Sequence, residues 1–389
     1  METWQFYATR GIVKSYRFDN SQIEKGLEIG ISPEIKISHK HLTAPIQRDF
    51  ALYGKRMGLK ELELSASIEP SPENVEESLS RLNQYTIWVR GANDIANERL
   101  INAINFHVGS AQDYDSEREY KKRTRTPNDF ATFDAEEYLK RLDALKEFYK
   151  HVDELSSKSG ITVLVENMPN PNFAKAESLE DKKSKYRYID RWSGTRWVPE
   201  YFQHGSMATS GEINHVLGGT GIQICYDIEH LNQTIESSSR YPNEGSLESL
   251  LVHEAKLFEK FGLIVRKGEA LRFKSKLDVE QQITGLKNPI KSSQIGGQVG
   301  MEFMDSDGYS HIGSHMPLTP TNIYIMDERQ RQKMWEDGRE YVKQALQALK
   351  SKGCRRITFE VFPYDYAGED WVKMNQETFS SVKQILSEI

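Results

Sequence analysis

The chain has 389 residues, of which 38% are hydrophobic and 28% charged, with a formal net charge of −6. This balance excludes a disordered chain and predicts a soluble protein with a substantial core. No apolar run approaches the ~20 residues needed to span a bilayer, and the acidic balance disfavours a duplex-binding surface.

Cys225 and Cys354 are the only cysteines, so no disulfide framework is implied, and both are expected to act as small buried hydrophobes. The opening Met1-Glu-Thr-Trp-Gln5 lacks the basic and apolar regions of a signal peptide, so the expected compartment is the cytoplasm.

In chain order, Thr3 to Ile12 reads as a first strand and Gly26 to Ile31 as a second. Helical spacing follows from Phe50 to Leu59, and Glu61 to Ser67 alternates with period two as a third strand. Ser71-Pro72-Glu73 is a helix start, with an N-cap hydroxyl, proline at the first helical position and an acid against the positive helix end. Ile101 to Ser110 is a fourth strand ending in His107. Asp134 and Glu137 then open a long amphipathic helix that Gly160 stops.

Ile161 to Asn167 is a short apolar fifth strand, of the kind buried on both faces. Gly211 to Leu217 reads as a short helix and Ile222 to Asp227 as the sixth strand. Leu247 to Phe261 is helical, and Val299 to Asp305 is expected to be the seventh strand. A helix from Glu328 to Lys350, an eighth strand from Arg356 to Phe362 and a helix from Trp371 to Ile389 complete the series.

Eight strands mostly separated by helices predict a single α/β domain over 1–389, a (β/α)8 TIM barrel. Such a barrel needs ~250 residues, so sizeable insertions are expected at about 169–205, 231–246 and 263–298. The first is rich in aromatics and cations, Trp192 and Trp197 among them, and reads as a substrate lid, with an oligomer contact as the alternative.

Polar residues at the C-terminal ends of barrel strands converge on one site. Those ends supply His107, Glu166, Asp227 with His230, Glu302 with Asp305 and Asp307, and Glu360. A lone acid at a strand end is commonly a helix cap or an ion-pair partner. Five strand ends together would repel strongly unless a divalent cation joined them, and oxygen ligands favour Mg2+ or Mn2+ over zinc.

Asn105-Phe-His-Val-Gly-Ser110, Val165-Glu-Asn-Met168, Tyr226-Asp-Ile-Glu-His230, Asp305-Ser-Asp307 before His311, and Phe359-Glu-Val361 resemble successive motifs of the xylose-isomerase-like TIM-barrel superfamily. That superfamily includes metal-dependent sugar isomerases and epimerases and the endonuclease IV-type apurinic-site nucleases. The resemblance implies Glu166, Asp227, Glu302 and Glu360 as metal ligands. If the reaction runs by proton transfer, Glu166 and Glu360 are the candidates for base and acid; if it runs by hydride shift, they are only ligands. His107, His230 and His311 are the expected substrate contacts, with Trp192 and Trp197 from the 169–205 insertion. The chain departs from the nuclease pattern, because the third strand carries no histidine and Asp307-Gly-Tyr309 stands where Asp-x-His is expected.

The expected function is a metal-dependent isomerase or epimerase acting on a small carbohydrate or related polyhydroxy carbonyl compound, possible as a homo-oligomer, with Mn2+ or Mg2+. The first alternative is a Zn2+-dependent nuclease acting on abasic or damaged DNA, which the charge balance disfavours. The second is a barrel that binds a small molecule without catalysis.

Overall fold

The computed structural model describes residues 4–11, 24, 26–109, 135–168, 173–175, 188–189, 196–199, 207, 209–232, 264–267, 270–273, 279–295, 302–304, 310–312, 318–320, 328–360 and 371–389. Eight strands close into a barrel: β1 (Gln5–Gly11), β2 (Ser32–Ile37), β3 (Leu62–Ala66), β4 (Ile101–His107), β5 (Thr162–Glu166), β6 (Gln223–Asp227), β7 (Ile290–Ile295) and β8 (Arg356–Phe359). Every neighbouring pair is parallel, and β8 closes on β1 through Gln5↔Arg356 to Ala8↔Phe359.

The helices are α1 (Ala44–Met57), α2 (Val75–Ala96), α3 (Ala135–Ser159), α4 (Ser210–Leu217), α5 (Val279–Thr284), α6 (Glu328–Ser351) and α7 (Trp371–Leu386). Their ends follow local chemistry. α4 carries a capping box, in which Thr209 Oγ1 accepts from the Glu212 amide and Glu212 Oε2 accepts from the Thr209 amide. Ser71-Pro72-Glu73 forms a turn instead of the first helical turn, and α2 starts after Asn74. The Asn74 Oδ1 accepts from the Ser71 amide at 2.7 Å and the Ser78 hydroxyl at 2.9 Å. The expected Asp134 cap, and the helix expected over 247–261, lie outside the described residues.

The main core lies between strands and helices. Phe50, Tyr85, Trp88, Phe106, Tyr149, Tyr226 and Phe359 fill it, all buried. Three tyrosines reach from helices to backbone carbonyls at the ends of alternate strands: Tyr85 to Ile37, Tyr149 to Val108 and Tyr341 to Ile228, each at 2.7 Å.

The bore is largely polar. Arg356 Nε meets Glu63 Oε1 at 2.9 Å, its guanidinium carbon sits 3.4 Å from the Tyr7 ring centroid, and Ser292 donates to Glu63 Oε2 at 3.0 Å. Ala103, Leu164 and Cys225 form a separate small apolar cluster on the inward-facing positions of β4, β5 and β6. Both cysteines are buried and unlinked.

Two expected strands are corrected. The second is Ser32–Ile37; Leu27 and Ile29 belong to a helical turn that ends at Gly30, whose φ of +86° returns the chain so that the Ile31 amide bonds the Gly26 carbonyl. The seventh is Ile290–Ile295, inside the block 263–298 that was expected to be an insertion. Its inward residues are Ser292 and Gln294, so it lacks the apolar signature that drew attention to 299–305. Glu302–Met304 instead pairs antiparallel with Ser310–Ile312, outside the barrel. In the 169–205 block, strands Phe173–Lys175, Tyr188–Ile189 and Arg196–Pro199 form a small antiparallel sheet. Among the described residues no helix is long and apolar enough to cross a membrane.

Candidate metal centre

β4, β5 and β6 end in His107, Glu166 and Asp227, and Glu360 directly follows β8. Asp227 is fully buried, and Glu166 and Glu360 nearly so. Ligand atoms of Glu166, Asp227 and His230 all lie within 4.8 Å of one another.

Asp227 does two jobs. Its Oδ1 accepts from the amides of Glu229 (2.7 Å) and His230 (3.0 Å), capping a helical turn that begins at Ile228. Its Oδ2 lies 3.4 Å from His230 Nδ1. One oxygen of this carboxylate thus caps the turn, and the other faces the His230 ring.

Asn167 binds the two strands together at this point. Its side-chain amide donates to the Asp227 carbonyl (2.9 Å) and accepts from the Asp227 amide (2.7 Å), extending the β5–β6 ladder past its end. The Asn167 carbonyl lies 2.6 Å from His230 Nδ1. A carbonyl can only accept, so Nδ1 carries the proton and Nε2 the lone pair. Burial holds the His230 pKa below its usual value, despite the neighbouring Glu166 charge, which favours the neutral ring.

Glu166 is oriented by Asn105, whose Nδ2 donates to Glu166 Oε2 at 2.8 Å. Its pKa is raised by burial, with the Glu360 and Asp227 charges adding to the rise and His107 and His230 opposing it. Glu360 is anchored by its amide to the Ile295 carbonyl at 2.9 Å, and Lys36 Nζ stands 3.8 Å from its Oε1.

His107 links this cluster to a cleft of about 460 Å3 lined by Lys36, Ser67, Glu69, Arg81, His107 and Met168, among others. Its Nδ1 meets Glu69 Oε1 at 3.0 Å and its Nε2 lies 3.6 Å from Glu166 Oε1. Burial alone would lower the His107 pKa, but the Glu69 hydrogen bond and the Glu166 and Glu69 charges outweigh it and the net shift is upward. The segment carrying Glu69 is held by a close approach at Gly109. This glycine has φ +88°, and a Cβ there would lie 2.1 Å from the Pro70 carbonyl oxygen. Gly109→Ala is expected to cost about 1–3 kcal/mol from the backbone conformation alone, with the clash adding to it. Urea unfolding would measure the loss; an unchanged midpoint would contradict the close approach.

Of the residues expected at the site, the structure gathers Glu166, Asp227, His230, Glu360 and His107. Glu302 is not on a barrel strand, which removes the strand-end reason for choosing it, and its side chain lies outside the described residues. The side chains of Trp197 and His311, and Trp192, Asp305 and Asp307 altogether, also lie outside them. Sequence reading missed Glu69, Lys36, Asn105, Asn167 and Gln294. Asn167 directly follows Glu166 and Asn105 lies two residues before His107 on the same face of β4, while Gln294 lies on a strand without an apolar inner face.

A divalent cation suits this arrangement. Glu166, whose pKa burial raises and the Glu360 and Asp227 charges raise further, would be stabilised by a positive charge placed among these carboxylates. His230 stands beside these carboxylates through its Nδ1, 3.7 Å from Glu166 Oε1 and 3.4 Å from Asp227 Oδ2.

The sequence matches no protein-family model and no curated protein. Among solved structures, it is similar to a xylose isomerase-like TIM barrel protein from Mycobacterium smegmatis in complex with magnesium. The identity is 12%, covering 100% of this chain and 99% of that one, with a TM-score of 0.46. It is also similar to 3-keto-D-glucoside 4-epimerase from E. coli (9% identity, 98% and 99% covered, TM-score 0.44). A third is endonuclease IV from Thermus thermophilus (11%, 98% and 99% covered, TM-score 0.44). By its closed ring of eight parallel strands with intervening helices, the chain is a (β/α)8 TIM barrel.

Proposed function

We propose that the protein is a divalent-metal-dependent isomerase or epimerase acting on a polyhydroxylated carbonyl compound. The observation that carries this reading is the convergence of Glu166, Asp227 and His230, with Glu360 close enough to raise the Glu166 pKa, at one mouth of the barrel. Glu166, Asp227 and Glu360 would hold the cation, and the predominance of carboxylates favours Mn2+ or Mg2+. When bound, such a cation supplies Lewis-acid stabilisation of negative charge developing on a substrate oxygen.

The chain's own residues supply the rest. Glu166 and Glu360 are the groups to take and return a proton at the carbon beside the carbonyl. His230 and His107 orient substrate oxygens, and the cleft beside His107 accommodates the remainder of the substrate. The second reading, phosphodiester hydrolysis, draws support from His230 standing inside the cluster, since imidazole is a ligand that zinc takes readily.

One preparation tests both. The expected result is about one equivalent of manganese or magnesium by elemental analysis. Deuterium uptake from D2O into an aldose or ketose probe is expected with it. Zinc beyond one equivalent, with salt-sensitive nicking of an abasic duplex and no sugar turnover, would overturn the isomerase reading in favour of the nuclease.

A further inference from the structure

The corner of the mouth built by β2 and the start of α2 is basic. From Lys36 to Gln47 the chain carries Lys36, His39, Lys40 and His41 and no acid. The loop that follows β2 crosses to α2, where His39 Nε2 lies 2.6 Å from Gln84 Oε1. Arg81 stands three residues before Gln84, on the same helix face. Together with Lys36 and His107 it lines the cleft beside the carboxylate cluster.

The acids of the same cleft are already engaged. Glu69 Oε1 meets His107 Nδ1 at 3.0 Å, and Glu77 pairs with Arg81 one turn along α2. The Glu77–Arg81 pair is open to water at both ends, with side-chain exposures of 61% and 41%, so it holds the guanidinium only weakly. Lys36 is placed differently. Its Nζ stands 3.8 Å from Oε1 of Glu360, one of the carboxylates proposed to hold the cation, while 42% of its side chain is exposed and lines the cleft. The Lys36 charge also reaches Glu69 and His107.

An ammonium beside a carboxylate that also serves a divalent ion competes with that ion for the same negative charge. With the ion held by Glu360, the ammonium is left next to a positive centre, where an anionic group stabilises both. Lys36 offers a compact charge and Arg81 a planar fork, and both suit carboxylate or phosphate oxygens. We propose that Lys36 and Arg81 form an anion-reading subsite, which binds a carboxylate or phosphate group carried by the ligand. The substrate is then an acidic or phosphorylated hydroxy-carbonyl compound, not a neutral sugar. The inference rests on the polyhydroxy-carbonyl reading above and narrows its substrate class.

The test titrates the full-length, Mn2+-loaded protein with D-fructose, D-glucuronate and D-fructose 6-phosphate by calorimetry, as wild type, Lys36→Met and Lys36→Arg. At least one anionic sugar is expected to bind wild type about 10-fold or more tightly than D-fructose does, as a charge-assisted contact requires. Which one is preferred tells carboxylate from phosphate. Lys36→Met is expected to abolish the preference, and Lys36→Arg to keep most of it. Lys36→Met is also expected to bind Mn2+ several-fold more tightly than wild type, because the ammonium no longer competes for Glu360. That readout needs no sugar. Equal affinity for neutral and anionic sugars, or a preference that survives Lys36→Met, would overturn the subsite and leave the isomerase reading standing. Unchanged or weaker Mn2+ binding by Lys36→Met would overturn the competition argued from the Lys36–Glu360 pair. A Mn2+-loaded protein that binds none of the three sugars would remove the polyhydroxy-carbonyl reading, and the subsite with it. Tight binding of an abasic duplex, lost in Lys36→Met, would assign the basic corner to a nuclease substrate instead.

Discussion

Glu166→Gln is expected to move two properties in opposite directions. Divalent-cation affinity should fall by about 100-fold or more, since even the loss of a group that only orients a metal ligand costs about 10–100-fold. The metal-free protein should become more stable. In the folded state the Glu166 pKa is raised by burial and by Glu360 and Asp227, so the folded protein holds a proton that the unfolded chain releases earlier. The sign follows from linkage. The charged form is penalised by folding, so the penalty is absent below the unfolded carboxylate pKa. It grows as pH rises towards the folded pKa and stays constant above it. Glutamine removes that penalty and flattens this part of the profile. Denaturant unfolding between pH 4 and 8 in chelator, paired with Mn2+ titration by calorimetry, would check both. A variant that binds Mn2+ as wild type does would remove Glu166 from the cluster.

Arg356→Met is expected to be the most damaging single change away from the mouth. Glu63 and Arg356 are both buried, and the guanidinium also donates to the Glu61 carbonyl at 2.8 Å and covers the Tyr7 ring. Removing the cation leaves Glu63 charged in the bore, with the Ser292 hydroxyl as its remaining hydrogen-bond donor among the contacts described above, at a cost of about 3–5 kcal/mol. The double variant Glu63→Leu with Arg356→Met removes both charges together and is expected to recover most of that loss, because apolar replacements of buried ion pairs are commonly neutral or stabilising. A double-mutant cycle read by urea denaturation would check this. If the two single losses simply add in the double variant, the pair is not coupled as described.

The sequence revealed the barrel and most of the site where a strand's outer face is apolar and its last residue is charged. β5 and β6 show this well: Val163, Val165, Ile224 and Tyr226 pack outward, and Glu166 and Asp227 follow at the ends. β2 and β7 escaped because their inner faces carry Glu34 and Lys36, and Ser292 and Gln294. A polar bore breaks the rule that strands buried on both faces read as apolar runs. The apolar run 299–305 reads as a strand instead, and its described residues, Glu302–Met304, pair with Ser310–Ile312 outside the ring. Glu69 escaped for a different reason. It lies beyond β3, and only the close approach of Gly109 to Pro70 brings its segment against β4.

The tyrosines that tie helices α2, α3 and α6 to the carbonyls of Ile37, Val108 and Ile228 divide responsibility in the molecule. They fix the rim of the mouth from outside, through backbone groups that belong to no reacting side chain. Residues facing the ligand can therefore be exchanged without loosening the frame that holds them. Conversely, a shift in how a helix seats on the barrel reaches the rim as a displacement of backbone, moving neighbouring site residues together. Such a scaffold can change the compound it accepts by substitutions inside the ring while its architecture is maintained by a separate set of residues. That separation leaves room for a new substrate to be acquired one side chain at a time.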